Sequence, residues 1–187
     1  MIEELLNKVP EKHQYRNTTS KKFKLDLYNF FDKPEFKELS CMEIGCAKGH
    51  TTLILSKLFK QVYAINDRDT SEAQKFCNSN ESCNVEFFSQ DVYKYGLPDA
   101  VVDVIMIDAI HTYEAVKMDI ENSLKLRSKN KKYLIFDDTG ISPEVLNIVK
   151  EKCDQNILQL ITPIGCTPGD VFHRKLYDRE GLICREL

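Results

Sequence analysis

Residues 41–50, CMEIGCAKGH, decide how this chain is read. An apolar run ends on Glu43, two glycines follow at 45 and 49, and TTLILSKLFK then continues with helical spacing, so a buried strand hands over to a helix through a glycine turn. A phosphate-binding loop needs Lys and then Ser or Thr after its second glycine. Here His50 follows Gly49 and Lys48 precedes it. The dinucleotide fingerprint G-x-G-x-x-G fails as well, because Ala47 stands where its second glycine belongs. What is left is acid-x-Gly-x-x-x-Gly: a turn whose backbone can approach a ligand closely, beside a carboxylate suited to a cationic group.

The same handover recurs downstream. Strands are expected at CMEIG (41–45), QVYAIN (61–66), VEFFSQ (85–90), VVDVIMID (101–108) and KKYLIFD (131–137). The intervening 51–60, 71–80, 113–126 and 142–153 each show a single apolar stripe of helical period. Alternation of this kind builds a parallel sheet. Beyond residue 156 the helices stop: NILQLITPIG, VFHRKLY and GLICREL read as strands, the last two separated by DREG, so the sheet finishes antiparallel. Ahead of the first strand, SKKFKLDLYNFF (20–31) predicts an amphipathic helix over the core. The basic run KLRSKNKK (125–132) precedes a strand and is expected as a solvated turn at the edge away from the strands' carboxyl ends, where ligands of open α/β sheets bind.

With 187 residues and 42% hydrophobic content, one domain is expected, as a helical extension over 1–38 and a core over 39–187. A formal charge of -3 gives no global attraction to nucleic acid, although KHQYRNTTSKKFK (12–24) is locally basic. No stretch approaches the ~20 apolar residues of a membrane span, and the start lacks a signal-peptide pattern, so a cytoplasmic location is expected. Seven cysteines without any Cys-x-x-Cys pair read as free thiols rather than a zinc site, with Cys46 a small residue in a tight loop.

Three further strand ends carry polar residues in register with the glycine turn, and here the chain resembles the class I S-adenosylmethionine-dependent methyltransferases over roughly residues 39–140. MEIGCAKGH is similar to their first motif. SQD (89–91) is similar to their adenine-contacting stretch after the third strand. The resemblance implies a Rossmann-like α/β sandwich: a mostly parallel seven-stranded sheet, antiparallel at its C-terminal end, with helices on both faces. It implies S-adenosylmethionine as cofactor, held by Glu43, Gly45, Ala47, Gly49, Gln90, Asp91 and Asp108. The family's ribose-binding acid falls at Asn66, with Asp67 one residue late, so either residue is a candidate.

Asp108 closes the fourth strand, and Asp137 and Asp138 close the fifth. Carboxylates converging at a sheet mouth repel unless a cation or protons neutralise them. A hard divalent ion such as Mg²⁺ does this with oxygen ligands; alternatively, Asp138 caps the next segment and Asp108 binds cofactor or a backbone amide. The constellation, with IDAIHTYEAV (107–116), resembles the metal-dependent O-methyltransferases of catechol and macrolide-sugar type. That resemblance implies metal ligands Asp108, Asp137 and Asp138, a small hydroxylated acceptor, and His111 where the catechol enzymes place their base. An imidazole, with an ordinary pKa of ~6.5, can accept a hydroxyl proton near neutrality; its other role would be to orient Asp108 or Tyr113. Thr139 and Gly140 are placed to shape the acceptor pocket. DAIH stands where base-amino methyltransferases carry Pro-Pro-aromatic, and no Pro-Cys pair serves C5 chemistry, which counts against a nucleic-acid substrate. Protein methylation, a non-catalytic cofactor-binding module of the same fold, and homo-oligomerisation remain open.

Overall fold

The computed structural model describes residues 2–187. Its centre is a seven-stranded sheet in the order β3-β2-β1-β4-β5-β7-β6. The strands are β1 (Ser40–Ile44), β2 (Gln61–Asn66), β3 (Val85–Ser89), β4 (Val104–Ile107), β5 (Tyr133–Phe136), β6 (Leu158–Ile164) and β7 (Gly181–Glu186). The first five are parallel, and β7 runs antiparallel to both β5 and β6. Helices α1 (Ile2–Lys8), α2 (Lys21–Phe31), α3 (His50–Leu58), α4 (Ser71–Asn78), α5 (Val92–Tyr95), α6 (Tyr113–Lys125) and α7 (Pro143–Asp154) complete the chain.

The period-two pattern of the strands sorts these helices onto two faces. Cys41, Val104, Met106 and Ile135 join Leu5, Phe23, Leu27, Phe31 and Leu53 in one core, beneath α1, α2 and α3. Their alternates Met42, Ile44, Ile105, Ile107, Leu134 and Phe136 join Val116, Ile120, Ile148 and Val149 under α6 and α7. Central parallel strands are covered on both sides, which is why they read as unbroken apolar runs. The 20–31 helix forms as expected. Ser20 caps it by accepting from Phe23 N, and Phe31, fully buried, meets the rings of Phe30, Phe36, Phe59 and Tyr133.

The basic run 125–132 does lie at the amino ends of the strands, where the buried Asp103 accepts from Lys129 N and Asn130 N at 2.9 and 3.2 Å. One expected strand is not a strand. Both edges of β7 are taken by β5 and β6, and VFHRKLY (171–177) instead crosses the carboxyl ends of the sheet as a loop. The loop is pinned by Tyr177 N donating to Gly140 O at 2.8 Å, with Leu176 buried and Val171 and Tyr177 exposed. Among the described residues no helix is long and apolar enough to cross a membrane.

Candidate active site

A cavity of about 700 Å³ opens at the carboxyl ends of β1, β2, β3, β4 and β5. Gly45, Ala47, Asn66, Asp67, Gln90, Asp91, Asp108, His111 and Asp138 all line it. Residues from five strand ends, spread over nearly a hundred positions of sequence, therefore meet as expected of a parallel sheet.

The turn after β1 owes its glycines to crowding. Gly45 has φ +99°, and a Cβ there would lie 2.0 Å from Asp108 O, so the ends of β1 and β4 approach as closely as only glycine permits. Gly49 has φ +79° and caps α3; its missing Cβ makes room for Ala73 of α4, and the residue does not line the cavity. Glu43 also departs from expectation. Its fully buried carboxyl turns away from the cavity to accept from Thr52 Oγ1 at 2.5 Å, and burial pushes its pKa up to about 7. It braces the start of α3 rather than facing a ligand. Cys46 is buried, and burial raises its thiol pKa, which does not favour a nucleophile.

On the opposite wall Asp91 caps α5 by accepting from Tyr93 N at 3.0 Å, and Gln90 Nε2 donates to Gly96 O at 2.6 Å. These bonds fix the loop after β3, and Ile65 and Val92 line the cavity beside it. Asn66 and Asp67 both reach the cavity, and Asp67 is largely solvent-exposed.

The carboxylates at the ends of β4 and β5 do converge, but their partner is a side chain. Lys12, 3% exposed, places Nζ 3.3 Å from Asp137 Oδ2 and 3.4 Å from Asp138 Oδ1. Burial by itself would lower the lysine's pKa; Asp137, Asp138, Asp108 and Glu180 outweigh it and hold the ammonium above the usual range. Burial followed by the charge of Asp137 drives Asp108 well above ordinary carboxyl behaviour and lifts Asp138 to about 6. Asp137 stays ionised against its burial because Lys12 and His111 oppose it. Among the described residues no group of three or more His, Cys, Asp or Glu side chains is arranged to hold a metal ion. The expected divalent site at Asp108, Asp137 and Asp138 does not fit: a lysine bridges two of its three ligands, and Asp137, fully buried, does not reach the cavity.

His111 sits between the carboxylates. Its Nδ1 is 3.3 Å from Asp138 Oδ2 and its Nε2 is 3.7 Å from Asp108 Oδ1. Nε2 is buried without a hydrogen-bond partner. A proton on Nδ1, shared with Asp138, leaves Nε2 with an open lone pair in a residue that lines the cavity. The loop is held from behind, where Ser142 Oγ donates to His111 O at 3.1 Å and Tyr113 N donates to Glu144 Oε2 at 2.8 Å. Asp138 adopts φ 55°, a left-handed conformation that costs a residue with a side chain about 1–2 kcal/mol and aims this carboxylate at both Lys12 and His111.

Of the roof, the sequence marks only the basic character of residues 12–24 and singles out no residue there. Lys12, Arg16, Asn17 and Thr18 enter from the N-terminal segment, and His173 and Arg174 from the loop misread as a strand. Glu180 clamps the two together: Ser20 N donates to it at 2.8 Å, Ser20 Oγ makes a shorter bond, and Cys166 N donates at 3.0 Å. Lys24, fully buried, donates to Thr18 Oγ1 and Thr19 Oγ1. Thr139 and Gly140 serve this clamp and not the pocket. Thr139 Oγ1 donates to Arg179 O at 3.1 Å, and a Cβ on Gly140 would lie 2.5 Å from the same oxygen.

This cavity in this sheet defines a class of protein, and the comparisons agree. Residues 42–139, just over half of the chain, match the methyltransferase domain family, and the chain belongs to it. It has the fold of S-adenosylmethionine-dependent methyltransferases. A tRNA methyltransferase from Aquifex aeolicus superposes with TM-score 0.69 at 16% identity, over 100% of this chain and 76% of that one. An N-methyltransferase from Bradyrhizobium japonicum bound to S-adenosyl-L-homocysteine gives 0.63 at 16% identity, over 99% and 97%. A SAM-dependent methyltransferase from Aquifex aeolicus gives 0.62 at 19% identity, over 100% and 99%. No curated protein matches the chain in sequence.

Proposed function

We propose that this methyltransferase acts on a hydroxyl group of a small molecule, with His111 as general base. One observation carries the reading: a buried, unpartnered imidazole nitrogen in the cavity wall, with its opposite nitrogen on a carboxylate. Gly45, Ala47, Asn66, Asp67, Gln90 and Asp91 would hold the cofactor along β1, β2 and β3, leaving Asp108, His111 and the roof for the acceptor. Bound S-adenosylmethionine supplies a methyl on a sulfonium sulfur, which departs as a neutral thioether with the electron pair of the broken bond. The protein's work is therefore to aim an oxygen and exclude water. His111 Nε2 takes the hydroxyl proton, and Asp138 stabilises the imidazolium that forms. Asp108, whose pKa burial and the charge of Asp137 push up, lies 3.7 Å from the same nitrogen and lines the cavity, placed to orient the acceptor oxygen. At the roof, Arg16 and Arg174 have no ionic partner among the described residues, and burial, Lys12 and these two arginines together lower the pKa of His173 to about 4. A hydroxylated acceptor bearing an anionic substituent suits that rim better than a neutral one.

The test is transfer of labelled methyl groups to a panel of small hydroxylated acids, with transfer RNA and a peptide pool as the other arms. On the accepted substrate, His111→Gln should lower kcat by about 10²–10⁴-fold while S-adenosylhomocysteine binds with unchanged affinity. Labelling of RNA alone, or full activity in the variant, would sink the proposal.

A further inference from the structure

Lys12 lies 125 residues before Asp137 and penetrates the carboxylate cluster from outside the core fold. Lysine is almost never fully buried unless paired, and pairing here uses two carboxylates from adjacent positions. Phe172 of the C-terminal loop closes over the same ammonium, 5.4 Å from ring centre to Nζ. Two carboxylates and a ring hold this cation at the cavity wall.

We propose that Lys12 is the resident cation of the acceptor site, an ammonium in the position where the resemblance implied a divalent metal. The inference rests on reading this cavity as a methyl-transfer site. An ion bridging Asp137 Oδ2 and Asp138 Oδ1 at the ~2.1 Å that magnesium requires would be pressed against Nζ, in a buried place where like charges repel strongly. Site and metal are thus mutually exclusive while the lysine is in place. The ammonium has three donors. Two meet Asp137 and Asp138, and the third has no acceptor among the described residues although Lys12 lines the cavity. That free donor is available to an acceptor oxygen as His111 removes its proton, stabilising the developing oxyanion as a metal would, with one positive charge in place of two. Because the cation is covalently attached, the site is complete without metal supply and its charge does not vary with ion concentration.

The experiment is titration of the whole chain with Mn²⁺, followed by the paramagnetic resonance of the free ion, on the wild type and on Lys12→Met, which keeps the buried stem and removes the charge. The wild type should take up no Mn²⁺ at this cluster and should bind S-adenosylhomocysteine equally with and without a chelator. Lys12→Met should gain one Mn²⁺ site, lost again when Asp137→Asn is added. If the methionine variant is unfolded at neutral pH, millimolar Mn²⁺ should restore a cooperative melt, which supports the same conclusion. Wild-type uptake of Mn²⁺ that Asp137→Asn abolishes would overturn the proposal, as would a Lys12→Met variant that gains no site or that Mn²⁺ does not rescue. Metal uptake is read without any acceptor, so these outcomes are separate from failure of the methyl-transfer reading, which would show as no binding of S-adenosylhomocysteine.

Discussion

Replacing Gly45 with alanine puts the tightest contact in the site to the test. The added methyl would lie 2.0 Å from Asp108 O and 2.6 Å from Asp108 C, and both are backbone atoms that cannot swing aside. The residue would also have to keep φ +99°. Holding a side chain in a sparsely allowed region costs ~1–3 kcal/mol, and overpacking a filled site costs a further ~1–3 kcal/mol. Against the ~5–15 kcal/mol that stabilises an ordinary domain, a loss of ~2–6 kcal/mol leaves a folded but weakened protein. At ~2–4 °C per kcal/mol for a chain of this size, the melting midpoint should fall by roughly 5–20 °C. The strain is relieved by parting the ends of β1 and β4, which moves both walls of the cavity, so affinity for S-adenosylhomocysteine should drop at least tenfold. Scanning calorimetry and isothermal titration read the two effects. Gly96→Ala is the control: φ is +78° there, but a Cβ would meet nothing within 4 Å, so only the strain is incurred. A Gly45→Ala protein that melts and binds like the Gly96 control would show that the close approach of β1 and β4 does not shape the cavity.

Other consequences are as direct. Asn66→Asp replaces a neutral hydrogen-bond acceptor with a charged one; bonds to charged groups contribute ~1 kcal/mol more, so titration should find S-adenosylhomocysteine bound about fivefold tighter. Asp67→Asn, at a side chain 64% exposed, should leave it unchanged; the reverse order would move the ribose contact to Asp67. Phe31→Ala empties the centre of the aromatic cluster behind the sheet and should cost ~3–5 kcal/mol in denaturant unfolding while cofactor affinity holds. Stability should also depend on pH. Burial raises Glu43, Glu180 and Asp119 to about 7 and Asp138 to about 6, so the folded chain retains protons that the unfolded chain has released. That contribution is full below the ordinary carboxyl range and is lost as pH rises through 6 to 7. Burial depresses His50 and His173 to about 4, and their contribution runs the other way, lost as pH falls from the ordinary imidazole range towards 4. Four groups outweigh two, and the unliganded protein should melt higher at pH 5 than at pH 7.5; a flat or rising profile would contradict the buried placement of these carboxyls.

The parallel half of the fold was legible because its strands are short, apolar and separated by helices of clear period, so that Ile44, Asn66, Gln90 and Asp108 fall at strand ends whatever the details. The C-terminal half was less so. VFHRKLY alternates like a strand, but whether a segment joins a sheet depends on a free edge, and β7 has none to give. The side-chain directions of the glycine turn were equally out of reach. Glu43 lies one residue from the strand's end, and parity turns it towards Thr52 and α3 instead of the cofactor. The need for a positive charge beside Asp137 and Asp138 could be read from local sequence; its source could not, because nothing around Lys12 marks that residue among the basic positions from 12 to 24.

The clamp at Glu180 also sets an order of events during synthesis. Ser20 lies 160 residues away from the carboxylate that holds it, and Lys12 lies 126 residues away from Asp138. A growing chain that has released β1 to β5 possesses the glycine turn, the cofactor walls and the carboxylates that Lys12 meets, yet the segment carrying Lys12 is not locked through Ser20 until residue 180 has cleared the ribosome. Loops that long close slowly. The half of the site that receives the acceptor is therefore built last, from the two ends of the chain, after the half that receives the cofactor.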